Sequence, residues 1–406
     1  MPTIPLSQAS AGMVLAADAE SLDGMYRLAA GLLLTDAHLR VLRGWHVREI
    51  EVAAPSEASP APDDAAPADA ATAAAARFAH LPQNEPIVAA LLELALARAA
   101  GEPAPGRGRL PASRPLPPAE ARSPERILAT DPMLVSLPEV FMRIREVLSD
   151  PDSTVEEAAA VIGKDPSLTA KILKLVNSAF YARTMRAAGS LPPGPVDSLS
   201  RAVLLLGLNQ LSTLAMGVSV LPLFKDIPPE CVDMRQFWRH SVSVALLAKL
   251  VATRLGDPNP ERFFVAGLLH DIGRLVLYKQ LPEVAGTILA AAMTSGRPLD
   301  EVERELLGFD HAQLGGMLLR KWRFPESLEQ AVWHHHDPLS GDTPLEPAII
   351  GVADMVTLAT LSGSGDRRVP RFIPEAWQLT GVEASELATI VATAETHLDI
   401  VCAMFA

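Results

Sequence analysis

His270 and Asp271 stand together in an apolar run, Gly267-Leu268-Leu269-His270-Asp271-Ile272-Gly273-Arg274, where packing alone gives no reason for either. A buried ionised carboxylate is costly unless something compensates it, and a divalent cation is the strongest partner available. Further ligands follow: six of the ten histidines fall between His240 and His336, and Asp354 lies on a later apolar stretch. His240 shares a helical face with Val244, Leu247 and Val251, so its ring is expected to point inward. Alone it would serve as a hydrogen-bonded core residue. With His270, Asp271 and Asp354 it gathers nitrogen and oxygen ligands from three helices, a set suited to Mn, Fe, Zn or Mg. Asp271 is the natural bridging carboxylate, and His311, His335 and His336 are candidates for a second ion. Plainer roles stand beside these. Asp310-His311 can be a helix N-cap with an exposed ring, and His334-His335-His336 before Asp337-Pro338 can be a solvated helix end where imidazolium suits the dipole. His334 is expected to be of that plain kind.

Such side chains need a rigid scaffold, and from about Ser123 onward the pattern is helical with no convincing strand. Ser136-Leu137-Pro138-Glu139 starts one helix and Asp150-Pro151-Asp152-Ser153 ends it. Ser153-Thr154-Val155-Glu156-Glu157 begins the next, closing near Gly163, and Asp165-Pro166-Ser167 caps a third running to Asn177-Ser178. The expected fold class is mainly α, a compact helical bundle over residues 123–406 with halves at 123–225 and 226–406. Residues 1–54 read as a small α+β module, with a helix from Thr35 through Arg43 and a strand over Val47 to Val52. Residues 55–122 read as linkers flanking one helix at 86–100: the stretch 55–82 is dominated by Ala, Pro, Asp and Ser, and 101–122 is proline-rich and semi-extended.

The whole chain, 406 residues with 49% hydrophobic content, is long enough for two or three folded units. Its formal charge of −13 repels a phosphate backbone, so nucleic acid is not an expected partner. Cys231 and Cys402 form no disulfide framework, and Met1 to Ser10 shows no secretory signal, so a cytoplasmic setting is expected. Ala202 to Phe224 carries no charge, but Gly207, Asn209, Gln210, Ser212, Thr213 and Pro222 interrupt it, so buried core helices are expected there and no membrane span.

The order of motifs also carries a family resemblance. Leu137-Pro138-Glu139, Asp165-Pro166-Ser167-Leu168-Thr169, Leu175-Val176-Asn177-Ser178-Ala179-Phe180-Tyr181, Ser198-Leu199-Ser200-Arg201-Ala202-Val203 and Leu206-Gly207 resemble the first half of an HDOD domain. Phe237-Trp238-Arg239-His240-Ser241, the His270-Asp271 run, Gly308-Phe309-Asp310-His311-Ala312, Trp322 with Pro325, and His335-His336-Asp337-Pro338 resemble the second. The likeness covers about residues 125–406, with Arg183 to Asp197 as an insertion. The amino-terminal module is similar to the small domain preceding HD-GYP phosphodiesterases, in Gly12-Met13-Val14-Leu15-Ala16 and in Gly31 to Thr35.

The resemblance implies a signal-transduction output protein that works by binding signalling proteins or a ligand, with a partial HD metal site. The competing implication is a metal-dependent phosphohydrolase acting on a nucleotide or cyclic dinucleotide, with Asp271 and Arg274 as its catalytic residues. In catalytic relatives a Lys at the place of Arg274 meets the phosphate; Arg keeps the charge but changes the geometry. No Gly-Tyr-Pro follows the paired histidines here, and Gln236 stands where trinuclear relatives supply Glu. These departures count against turnover.

Overall fold

The computed structural model describes residues 3–6, 9, 13, 16, 19–20, 27–28, 47, 49–52, 70–99, 123–130, 139–150, 152–181, 195–224, 226–227, 231–361 and 368–404. The chain forms two compact units, Met1–Ala66 and Pro67–Ala406. In the first, β1 (Thr3–Pro5), β2 (Ala19–Glu20), β3 (Arg27–Leu28) and β4 (Glu49–Glu51) make two antiparallel pairs, β1 with β4 and β2 with β3. Ile4 faces Ile50 across the first pair. The two-residue period of a strand turns Glu49 and Glu51 outward and leaves Ile50 3% exposed. The strand expected over Val47 to Val52 is thus present in shortened form. The helix expected from Thr35 through Arg43, and the Gly31 to Thr35 segment, lie outside the described residues.

Among its described residues the second unit is helical throughout. The order is α1 (Ala70–Ala76), α2 (Pro86–Ala99), α3 (Pro124–Thr130), α4 (Glu139–Ser149), α5 (Val155–Ile162), α6 (Pro166–Val176), α7 (Leu199–Leu206) and α8 (Leu208–Ser219). After a 3-10 turn at Leu221–Phe224 come α9 (Met234–Arg254), α10 (Pro260–Leu269), α11 (Ile272–Gln280), α12 (Pro282–Ser295), α13 (Leu299–Leu307), α14 (His311–Lys321) and α15 (Glu326–Trp333). A second 3-10 turn, Pro338–Ser340, leads to α16 (Leu345–Thr360) and α17 (Pro374–Thr380), and a third, Ala384–Glu386, to α18 (Leu387–Cys402). The capping signals at Thr154 and Asp165 act as read, while the start expected at Ser136-Leu137-Pro138 lies outside the described residues. Thr154 accepts from the Glu157 backbone N–H while the Glu157 carboxylate accepts from that of Thr154, and Asp165 caps α6.

One apolar core runs from Phe78 to Met404, so the expected halves at 123–225 and 226–406 share it. Helix α9 lies at its centre against α10, α16 and α18, burying His240, Val244, Leu247 and Val251 as their spacing predicts. A buried polar knot joins the halves: Glu261 accepts from the Tyr181 hydroxyl and from Lys249 Nζ, the latter at 2.5 Å. The Ala202 to Phe224 stretch divides at Gly207 into α7 and the segment from Leu208, bent by 118°. Among the described residues no single helix is long and apolar enough to cross a membrane.

The structure departs from the sequence reading at residues 70–82, expected within a linker. Ala70–Ala76 is helical, and Phe78 and Leu81 are 0% and 5% exposed in the core. Composition alone missed this because two large apolar anchors suffice to hold an alanine-rich helix, a good intrinsic former, against a neighbour. Helix α2 then packs on α1, α16 and α18.

Candidate metal centre

The His-Asp doublet does not sit within one helix, as its apolar setting suggested, but at the junction where α10 ends and α11 begins. Asp271 has φ −93° and ψ 11°, and its carbonyl accepts from the Arg274 N–H at 2.9 Å. Close packing explains the turn: a Cβ on Gly273 would lie 2.0 Å from the His311 carbonyl oxygen, so only glycine lets α11 meet the start of α14. The junction thereby presents His270 and Asp271 to His240 on α9 and His311 on α14.

The hydrogen bonds around the rings fix their tautomers. His270 Nδ1 donates to the Gly267 carbonyl at 2.8 Å and His335 Nδ1 to that of Val332 at 2.7 Å, leaving each Nε2 with a free lone pair. His311 Nδ1 lies 2.5 Å from the Glu303 carboxylate, which also accepts from the His311 backbone N–H at 2.8 Å. All three Nε2 atoms turn toward the centre. His240 Nε2 is 3.2 Å from His270 Nε2 and 3.2 Å from Asp354 Oδ1, while His311 Nε2 is 2.9 Å from His336 Nε2 and 3.1 Å from Asp271 Oδ1.

Two ligand groups result, His240-His270-Asp271 and His311-His335-His336, each with its donor atoms within 4.8 Å of one another. Asp271 lies between them: Oδ1 is 3.7 Å from His270 Nε2, and Oδ2 is 3.8 Å from His240 Nε2 and 2.6 Å from Arg274 Nη1. The side chains of His240, His270, Asp271, His311, His335 and Asp354 are all buried. Two of their atoms, His335 Nε2 and Asp354 Oδ1, have no well-aligned hydrogen-bond partner. Buried polar atoms left in this way, beside nitrogen lone pairs facing one another, are what a cation would satisfy. The donor set therefore fits a divalent metal.

The electrostatics agree with that fit. Burial pushes His270 down to about 4, partly opposed by Asp271 and Asp354. Burial also lowers His335 and, with His335 and His311 beside it, lowers His336 well below the usual range. Burial would raise Asp271, but Arg274, His270 and His311 outweigh it and hold the carboxyl well below its ordinary value. His311 is the exception: despite burial, Glu303 and Asp271 raise it well above an ordinary imidazole.

Each candidate residue has a definite place. His240, His270, Asp271, Asp354, His311, His335 and His336 converge. The plain readings of His311 and His335 give way in part: Asp310 does cap α14, yet His311 is 3% exposed, and His335, also 3% exposed, is no solvated helix end. His334 stands apart, bonded to the Ser340 hydroxyl at 2.8 Å, in the plain role expected. Arg274 is buried against Asp271 and the Tyr278 hydroxyl, 2.9 Å from Nη2. Gln236 is exposed. Glu303 was not foreseen, because one acidic residue on the charged helix Leu299–Leu307 carries no mark of its inward turn.

The comparisons with known proteins agree with this architecture. A protein of Treponema pallidum (strain Nichols), described only as uncharacterized, is 25% identical over 218 residues, 53% of this chain and 40% of its own length. Ribonuclease Y of Thermus thermophilus is 32% identical over 122 residues, 30% of this chain and 16% of the enzyme. The chain thus spans less than half of either relative. Among solved structures, a candidate phosphohydrolase of Shewanella amazonensis SB2B aligns with TM-score 0.51 at 26% identity, covering 68% of this chain and 99% of that one. An HDOD domain protein of Geobacter sulfurreducens, of unknown function, gives 0.52 at 25% identity, covering 66% and 91%. A candidate signal transduction protein of Marinobacter aquaeolei VT8 shares the fold, with TM-score 0.53 at 21% identity over 82% of this chain and 68% of its own. Residues 134–338 match the HDOD domain itself, half of the sequence and both histidine groups within it, and the chain belongs to that family.

Proposed function

We propose that this protein is a cytoplasmic signal-transduction output protein whose centre holds a divalent metal and acts by binding a signalling partner or small ligand, without turnover. Arg274 carries the reading. Its guanidinium, buried and bonded at 2.6 Å to Asp271 Oδ2, is spent inside the protein, so it does not reach out to clamp a substrate phosphate. The cavity beside the centre encloses about 30 Å3, where sites for nucleotide-sized ligands enclose roughly 300 Å3 or more. Cys231 and Cys402 are not joined in a disulfide, which suits a reducing compartment.

His240, His270, Asp271 and Asp354 would hold one ion, and His311, His335 and His336 a second. The ion is Mn, Fe, Zn or Mg by the softness of the donors, and would supply Lewis acidity toward an oxyanion. Glu303 and the Gly267 and Val332 carbonyls hold the rings with Nε2 inward. A second reading, a phosphohydrolase, draws on the completeness of that ligand set and on the likeness to the Shewanella protein and to ribonuclease Y.

Elemental analysis of protein purified without chelator, followed by a hydrolysis panel of nucleotides and cyclic dinucleotides, separates the two. We expect stoichiometric metal, lost in Asp271→Ala, and negligible hydrolysis. Metal-dependent turnover of about one per second or faster, absent from Asp271→Ala, would establish the phosphohydrolase instead.

A further inference from the structure

The cavity beside the centre opens to solvent on one side, and its wall joins chemistry of two kinds. His335 and Asp354 form part of it; His335 Nε2 has no hydrogen-bond partner, and Asp354 Oδ1 faces only His240 Nε2, at 3.2 Å. Asp300 and Arg371 are its other charged members. Asp300 is already matched, because the Arg304 guanidinium bonds both its carboxylate and that of Asp310. Arg371, exposed on the segment before α17, has no ion-pair partner among the described residues. Ile373 and Trp377 add apolar surface to the lining.

We propose that this mouth admits one phosphate-type oxyanion, the terminal group of a small phosphomonoester, and that Arg371 is its specificity-determining residue. This deepens the binding function above and rests on it for the metal. Size and charge both select the ligand. A cavity of about 30 Å3 takes one or two oxygens, leaving the rest of the group at the rim beside the guanidinium. A guanidinium meets two oxygens of a terminal phosphate in a fork, and the apolar lining accommodates the organic remainder. A cyclic dinucleotide carries only diester phosphates within a ring, so it has no terminal group to insert.

The test is calorimetric titration of the full chain with inorganic phosphate and with a nucleoside monophosphate, in Mn-loaded and in chelated form. Wild type should bind both; Arg371→Ala should weaken binding by about tenfold or more with metal content and Tm unchanged, and Arg371→Lys should recover part of the loss. Unaltered affinity in Arg371→Ala, no phosphate binding in either form, or displacement of phosphate by a cyclic dinucleotide at equal concentration would overturn the proposal. Failure of the metal reading looks different: elemental analysis finds no Mn uptake, and phosphate titrations of the Mn-treated and the chelated protein coincide.

Discussion

At the residue scale the centre is a contest between burial and neighbouring charge, and the winner differs from ring to ring. His270, held at about 4, and His335 and His336, also lowered, stay neutral in the fold where an unfolded chain protonates them near pH 6.5. Their contribution to stability is therefore complete above about pH 6.5 and drains away as the pH falls through the folded values, at up to about 1.4 kcal/mol per pH unit for each ring. His311 has the opposite sign: its raised value favours the fold below about pH 6.5 and is lost only as the pH climbs through it. For chelated protein we expect the urea midpoint to drop between pH 7 and pH 5; a flat midpoint would contradict this account. The sequence already exposed these histidines, since a His-Asp pair inside an apolar run, with further histidines downstream, is conspicuous. Glu303 was hidden, because only the fold shows which of the four acidic residues from Asp300 to Glu305 are buried and which of those meets a histidine.

Elements bring the ligands together through tight backbone contacts rather than through long side chains. Asp354 sits on α16 one turn after Gly351, where an added Cβ would lie 2.4 Å from the His335 carbonyl oxygen. Gly351→Ala must therefore push α16 away from His335 and part Asp354 from the other donors. We expect a loss of about 1–3 kcal/mol in stability and a clear fall in metal content, read by thermal unfolding and elemental analysis. Wild-type values for both would show that the contact is slack. Helix starts were legible because caps are local chemistry, as at Thr154 and Asp165. The junction at His270-Asp271 was not, because it is set by the distant approach of α14 to Gly273, which no short window contains.

On the scale of the whole molecule, residues 70–99 belong with the helical unit even though proline-rich sequence separates them from Ser123. Arg98 pairs with Glu395 on α18 at 3.0 Å, the Val369 N–H donates to the Arg77 carbonyl at 3.3 Å, and Arg77 also bonds the Leu358 carbonyl on α16. Proteolysis within 101–122 should thus leave two pieces that travel together on native gel filtration and separate in urea. Separation without denaturant would show that α1 and α2 are not held by the core. Composition read 70–82 as linker because low complexity hides the few anchors, Phe78 and Leu81, on which docking depends.

Helix α16 takes part in both arrangements: it carries Asp354 in the centre and, on its other contacts, receives α2. An element shared in this way makes the two events thermodynamic partners. Whatever factor docking of the 70–99 hairpin adds to the affinity for an ion at Asp354, the ion must add the same factor to the grip on the hairpin.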